Sequence, residues 1–331
     1  MGIKQKVLFT ILPVALLVAI AGYLFIEPQL KKLERNFVTK SLTKEIANLQ
    51  EKTNSITRQG LELASLFGRS PEAVKAFRLA QQGNMDDEND AFAKKARTYL
   101  RQALEPILTD YEKNTGEKLK LHFHLPNSRS LVRLWRKKQV EREGQLLDIS
   151  DDLSNVRNTV VDVNRDGQPR IGIEPGRSGF AIRSVVQVTD EKGQRLGSVE
   201  VLKEYNAIFS LLRDESTSFA LFMDAALLPI TTTLQDKKKY PVFEKEFVTI
   251  TASKKDFLQS YGNTISFENL KKGLQEQHRS SPLARGLPIG VGVIGQPPRI
   301  IPARAGFTTG GSHGPRGRPD HPRSRGVYSL S

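Results

Sequence analysis

No cysteine occurs anywhere in the 331 residues. Its absence removes disulfide frameworks, thiol nucleophiles, zinc ribbons, iron–sulfur clusters and haem attachment through thioethers. Catalytic signatures are missing too: there is no phosphate-binding glycine loop, no HExxH pair and no Gly-x-Ser-x-Gly elbow. No nucleophile, base and orienting group can be assembled from the pattern, so no enzymatic activity and no cofactor are expected. Beyond Lys272 there is no lysine, and beyond Glu276 no glutamate.

What is present begins with charge. The formal net charge is +14, which by itself suggests an anionic partner. From Arg279 onward, however, arginines 279, 285, 299, 304, 316, 318, 323 and 325 face a single acid, Asp320. That segment carries half of the excess, and the body is only moderately basic. Nucleic-acid binding by the body is therefore not expected.

Val7 to Ile26 is twenty residues without a charge, enough to cross a hydrocarbon core of about 30 Å as a helix. The segment reads as a retained anchor, although Ala19-Ile20-Ala21 resembles a signal-peptidase site. The apolar run continues past it through Tyr23, Leu24, Phe25 and Ile26. Flanking lysines and arginines on both sides leave the positive-inside rule undecided. The expected order is a cytoplasmic 1–6, a span over 7–26, a stalk helix over 27–69, a sensor-like domain over 70–278 and a tail over 279–331.

The stalk follows from Leu42, Ile46, Leu49, Ile56, Leu63 and Phe67, with Thr53 and Gly60 in the same seam. Run continuously from Pro28 it would be about 60 Å long, and its seam suits a homodimer. Ser70-Pro71-Glu72 starts a further helix, and Ala91 to Tyr111 another, bent or interrupted at Pro106. Asn114-Thr115-Gly116 ends it. The period then changes to two. Lys118–Leu125, Ser130–Arg136, Arg170–Glu174, Ser178–Val188, Arg195–Tyr205 and Tyr240–Ala252 read as strands. Asp190-Glu191-Lys192-Gly193 is a turn. Ser150-Asp151-Asp152 reads as the cap of a helix reaching Asn164, stopped at Asp166-Gly167. Asn206–Glu215 and Lys254–Leu274 read as helical or mixed, and Phe219–Ile230 as ambiguous. Long helices followed by an antiparallel sheet give an α+β class.

Alternation on the second strand groups Arg129, Leu131, Arg133 and Trp135 on one face. An arginine beside an aromatic ring is a sound carboxylate site, because the guanidinium fork binds two oxygens while the ring excludes water. Arg133 is expected to anchor a ligand anion and Trp135 to wall it. His122 and His124 share a face about 7 Å apart. Two imidazoles are too few for zinc, and no third ligand is identifiable, so no metal is expected and they read as pocket or structural histidines. Asp151 and Asp152 would neutralise an ammonium. Arg183, with Arg177, would complete an anion site or pair with Glu174 and Glu200.

Four blocks stand in a fixed order: LHFHLPNSRSLVRLWR from Leu121, DDLSNVRNTVVDVN from Asp151, GIEPGRSGFAIRSVVQV from Gly172 and LGSVEV from Leu196. Together they resemble the double Cache sensor domains of chemotaxis receptors and of related kinases and cyclases. The resemblance spans Leu30 to Leu274 and is most specific from Leu121 to Val201. It implies a PAS-like antiparallel-sheet sensing domain on a long helix, outside the cytoplasmic membrane. It further implies a small-molecule ligand and no catalytic centre; with the arginine–tryptophan face, the expected ligand is a carboxylate or amino acid. In that family output passes through a second span to cytoplasmic modules, and no such segment is legible here. A fragment that perceives without transmitting is thus the second reading. The third is a membrane or nucleic-acid tether working through the tail. The Arg/Pro/Gly-rich tail itself is expected to be disordered and to originate in a frameshift or truncated gene.

Overall fold

The computed structural model describes residues 3–177, 179–204, 217–243, 245–252, 289–295 and 299–303. Helix α1 runs without a break from Ile3 to Phe67, 65 residues, through Pro13 and Pro28. The anchor and the stalk are thus one helix. Each proline removes one intrahelical bond, and so long a helix survives both losses. Its segment Pro13–Leu33 has a mean hydropathy of 1.6 and none of it is buried. That stretch is long and apolar enough to cross a membrane.

The far end of α1 lies on a sheet. Thr53, Thr57, Ala64 and Phe67 are buried there, whereas Ile56 and Leu63 from the expected seam are half-buried. Apart from Phe67, the buried stripe is made of small residues, because the helix comes close to the sheet. At Gly60 an added Cβ would lie 2.5 Å from Ser184 Oγ, and that hydroxyl donates to the Thr57 carbonyl at 3.3 Å.

Helix α2 (Pro71–Ala80) starts where expected, with Ser70 Oγ accepting from the Ala73 amide at 3.1 Å. Helix α3 (Ala91–Thr115) is capped by Asp90 and ends at Gly116 with φ 74°. Pro106 sits inside α3 and does not divide it, so of the bend or interruption expected there the interruption does not occur.

Next come β1 (Lys120–His124), β2 (Ser130–Arg133), a short hairpin of β3 (Val140–Arg142) and β4 (Gln145–Leu147), helix α4 (Asn158–Asp166), β5 (Arg170–Gly176), β6 (Gly179–Thr189) and β7 (Arg195–Glu204). The first sheet has the order β2-β1-β7-β6-β5, with every pair antiparallel. Phe77, Leu100, Leu104, Leu121, Phe123, Leu131, Val199 and Val201 form the core between it and α2 and α3. Gly197 permits a close backbone approach: with φ 153°, a Cβ there would lie 2.3 Å from the His124 carbonyl and 2.5 Å from the Phe77 ring.

The helix expected from Ser150 begins only at Asn158. The intervening chain is stitched to the sheet edge instead. The Ser130 amide donates to the Asp151 carbonyl at 2.9 Å, and Arg129 and Asp152 form an isolated bridge. Backbone groups held in this way are not free to start a helix.

A second sheet contains β8 (Thr217–Asp224), β9 (Val242–Phe243), β10 (Phe247–Ala252), β11 (Ile289–Gly295) and β12 (Arg299–Ala303), in the order β12-β11-β8-β10-β9. Ile173, Phe180 and Ile182 of the first sheet share an apolar cluster with Leu221, Met223, Val248 and Ile250 of the second. Strands β11 and β12 come from the tail expected to be disordered. The correction has a local cause: Ile289, Val291, Val293 and Ile294 are β-branched, which suits pairing along β8. The expected elements at 206–215 and 254–274 lie outside the described residues.

Candidate functional site

A cavity of about 440 Å³ lies against one face of the first sheet. Six of the eight residues singled out from the sequence line it: His122, Arg133, Trp135, Asp151, Asp152 and Arg183. Arg129 and His124 do not. Arg129 uses its guanidinium on the Ser150 carbonyl, at 3.0 Å, which secures the 150–152 segment. His124 is wholly buried beneath the cavity.

The position of these groups depends on an irregularity. In the β1–β2 pair, His122 stands opposite Arg133 and His124 opposite Ser130, with a register shift between Phe123 and His124. The extra residue on β2 breaks strict alternation. Ser130, and not Leu131, therefore joins Arg133 on the polar side, while Leu131 and Val132 both enter the apolar core.

Arg133 is paired within the protein. Its two terminal nitrogens meet the two oxygens of Asp151 at 2.8 and 2.9 Å. Gln139 completes the cage: its Oε1 accepts from the Arg133 amide at 2.7 Å. Asp152 Oδ1 accepts from the Ser154 amide at 2.9 Å, and this backbone bond holds its carboxyl below the usual range. Trp135 stands edge-on to His122, with ring centroids 6.0 Å apart. It lines the cavity from just past the end of β2.

Two further lining arginines, unforeseen from the sequence, have no carboxylate partner among the described residues. Arg136 stacks over Trp135 at 5.8 Å and donates to the Gln139 carbonyl at 3.4 Å. Arg157 donates to the carbonyls of Val156 and Pro175 at 2.7 and 3.0 Å. Burial, followed by the nearby charge of Arg183, pushes the Arg157 guanidinium down to about 10. Arg177, by contrast, pairs with Glu141 at 3.0 Å. No local signal distinguishes Arg157, because its spacing within DDLSNVRNT also fits the surface of a helix.

Under the cavity floor the charges are tightly coupled. Arg183 pairs with Glu200 and lies 3.4 Å from Glu174. His122 Nδ1 is 3.3 Å from Glu200 Oε2 and His124 Nε2 is 3.4 Å from the same oxygen. Burial, reinforced by each other's proximity and by Arg133, drives the His122 imidazole well below its usual range, and burial lowers His124 too. Burial alone would raise Glu200, but the charge of Arg183 and the histidine contacts outweigh it and hold the carboxyl well below 4.5. Sequence reasoning missed that Glu200 joins the two histidines.

Comparison with known proteins adds a sequence match. The profile of the dCache_3 family, described as the double sensory domain of two-component sensor kinases, matches residues 40–231. No curated protein matches the chain in sequence. Among solved structures, the V. cholerae histidine kinase DctB sensor domain is similar, with 14% identity, 80% of this chain and 91% of that one covered and a TM-score of 0.42. The E. coli DcuS sensor domain has 14% identity, with 52% and 99% covered and a TM-score of 0.31. The ligand-binding domain of the Campylobacter jejuni chemoreceptor Tlp3, in complex with L-valine, has 12% identity, with 72% and 78% covered and a TM-score of 0.38.

Proposed function

This chain belongs to the dCache_3 family of double sensory domains, and from that premise we propose that it senses a small anionic ligand, a carboxylate or an amino acid, in the cavity beside β1 and β2. The reading assigns binding and no catalysis to the site. A volume of about 440 Å³ falls in the range of small-molecule pockets, roughly 300–1,000 Å³. The observation that carries the proposal is Arg157. A half-buried guanidinium bonded only to carbonyls is a cation short of an anion, and a ligand carboxylate would supply one through two parallel bonds. Arg136 on Trp135 offers a second donor, and Asp152 an acceptor for an ammonium.

The proposal extends to placement. The apolar segment Pro13–Leu33 would anchor the chain in the cytoplasmic membrane, with the sheets outside. Because α1 continues unbroken from that segment onto β6 and β7, movement at the sheet would be carried along one rigid element. This reading is supported by the close seating of Gly60 on Ser184.

The test is a thermal-shift and calorimetric screen of the full chain in detergent. Monocarboxylates, dicarboxylates and amino acids are compared with neutral sugars and polyamines. Carboxylates should raise the melting temperature, and Arg157→Ala should weaken the best of them at least ~10-fold, as expected for loss of a charge-assisted contact worth about 2–5 kcal/mol. Arg157→Lys should restore only part, since an ammonium lacks the fork. Hits confined to uncharged or cationic compounds would sink the proposal, as would parent-like carboxylate affinity in a folded Arg157→Ala variant.

A further inference from the structure

Three side chains converge under the cavity floor from two adjacent strands. His122 and His124 are two residues apart on β1, and Glu200 stands opposite His122 on β7. Alternation and cross-strand pairing bring all three to one face of the sheet. Their donor atoms lie within 4.8 Å of one another, and none of the three side chains is more than 3% exposed.

The contacts are poor as hydrogen bonds. Lengths of 3.3 and 3.4 Å exceed the usual N–H···O range of about 2.7–3.2 Å. Both approach the same carboxylate oxygen, and the fully buried His124 Nε2 has no hydrogen-bond partner. The same lengths fit a different object. Two ligands about 2.0–2.1 Å from a zinc-sized ion, at a tetrahedral angle, are about 3.3–3.4 Å apart. Octahedral neighbours at similar bond lengths would be nearer 3.0 Å. The ligand atoms of all three residues lie within 4.8 Å of one another.

The outer nitrogens are held as a metal site would need. His122 Nε2 is 2.8 Å from Ser130 Oγ, and His124 Nδ1 is 3.3 Å from Ser198 Oγ. With each outer nitrogen protonated toward a hydroxyl, each inner one presents its lone pair to the centre. Arg183 occupies the other oxygen of Glu200 and aims Oε2 inward.

We infer that His122 Nδ1, His124 Nε2 and Glu200 Oε2 form a three-ligand site for a divalent transition-metal ion of the zinc class. Two imidazoles and one carboxylate suit that class by donor type as well as geometry. His122 and Arg183 line the cavity above, so the site lies beneath its floor. The site stands independently of which ligand the cavity takes.

The experiment uses the full chain in detergent, stripped with chelator and titrated with Zn²⁺ by calorimetry and elemental analysis, then with Co²⁺ by visible spectroscopy. One equivalent per chain should bind, and Co²⁺ should give the intense bands of a four-coordinate ion. His124→Gln and Glu200→Gln should each weaken Zn²⁺ at least tenfold, while His313→Gln, His321→Gln and Arg157→Ala keep parent affinity. The Arg157→Ala arm separates this site from the cavity reading, because that variant loses the carboxylate and keeps the ion. If either core variant fails to fold, the Co²⁺ spectrum of the unaltered chain decides. A folded parent that takes up no stoichiometric Zn²⁺, an octahedral-type Co²⁺ spectrum, or undiminished binding in folded His124→Gln and Glu200→Gln would overturn the inference. Undiminished binding would assign the uptake to tail histidines.

Discussion

Arg133 grips Asp151 through two parallel hydrogen bonds, 2.8 and 2.9 Å long, so the guanidinium fork nearest the cavity wall is already filled by the protein's own carboxylate. The pair ties β2 to the segment preceding α4. With side chains only 11% and 14% exposed, it is an interior strut with little water to take over its bonds. On the proposed reading, ligand recognition would fall to Arg157 and Arg136 instead.

Arg133→Ala should therefore act on stability before affinity. Removing one partner of a fully buried pair costs about 3–5 kcal/mol, and the residual exposure here brings the expectation to roughly 2–3 kcal/mol. Urea unfolding of the full chain measures it. Arg133→Met with Asp151→Leu should recover part of the loss, because no charge is then stranded. A melt unchanged by Arg133→Ala would show that the pair contributes nothing.

Part of the acid sensitivity should arise at Asp148, alongside the depressed carboxyl of Glu200. This carboxylate meets Arg101 at 2.7 Å and the buried Arg97 at 3.5 Å. Burial alone would raise its pKa, but the two arginines outweigh that and lower it from 3.8. The unfolded chain then binds the proton more readily than the folded one. The stabilisation is present above pH 3.8 and is lost as pH falls through the lower folded value. Asp148→Asn should lower the melting temperature at neutral pH and flatten its decline between about pH 5 and 3. An acid limb as steep in the variant as in the parent would exclude this origin.

The helix–sheet contact can be tested at Gly60, where an added Cβ would lie 2.5 Å from Ser184 Oγ and 3.1 Å from Ser184 Cβ. Gly60→Val should cost about 1–3 kcal/mol through overpacking, seen as a fall of roughly 2–4 °C per kcal/mol. Gln59→Val, on the exposed side of the same helix, carries the same β-branched penalty without the clash. The two variants should differ clearly, and equal melting temperatures would mean that α1 is not seated as described.

Topology offers a prediction in cells. Reporter fusions after Leu66 and Leu202 should be active only with reporters that require export. Replacing Leu16 and Leu17, both exposed within the apolar segment, by aspartate should release the chain from the membrane fraction, since an acid at mid-span costs about 2.5–3.5 kcal/mol each. Cytoplasmic-type activity at both fusion sites would reject the proposed placement.

Much of this molecule is legible in single stretches of sequence. The Ser70 cap, the Gly116 and Gly167 helix stops and the Asp190–Gly193 turn are set by atoms a few residues apart. The same holds for β6 and β7, whose strands follow from their own composition. The four ordered blocks carry the family by themselves. Tertiary structure alone decided the site. His122 and Glu200 are 78 positions apart and face each other only because β1 pairs with β7 in one register. A single extra residue on β2 put Ser130 in place of Leu131 beside Arg133. The same bulge is invisible to a period-two reading, which assumes regular pleating. Which arginine is spent and which is open depended on whether Asp151 lay in a helix cap or along a sheet edge. That choice was made by backbone pairing between distant segments, and nothing within the segment itself encodes it.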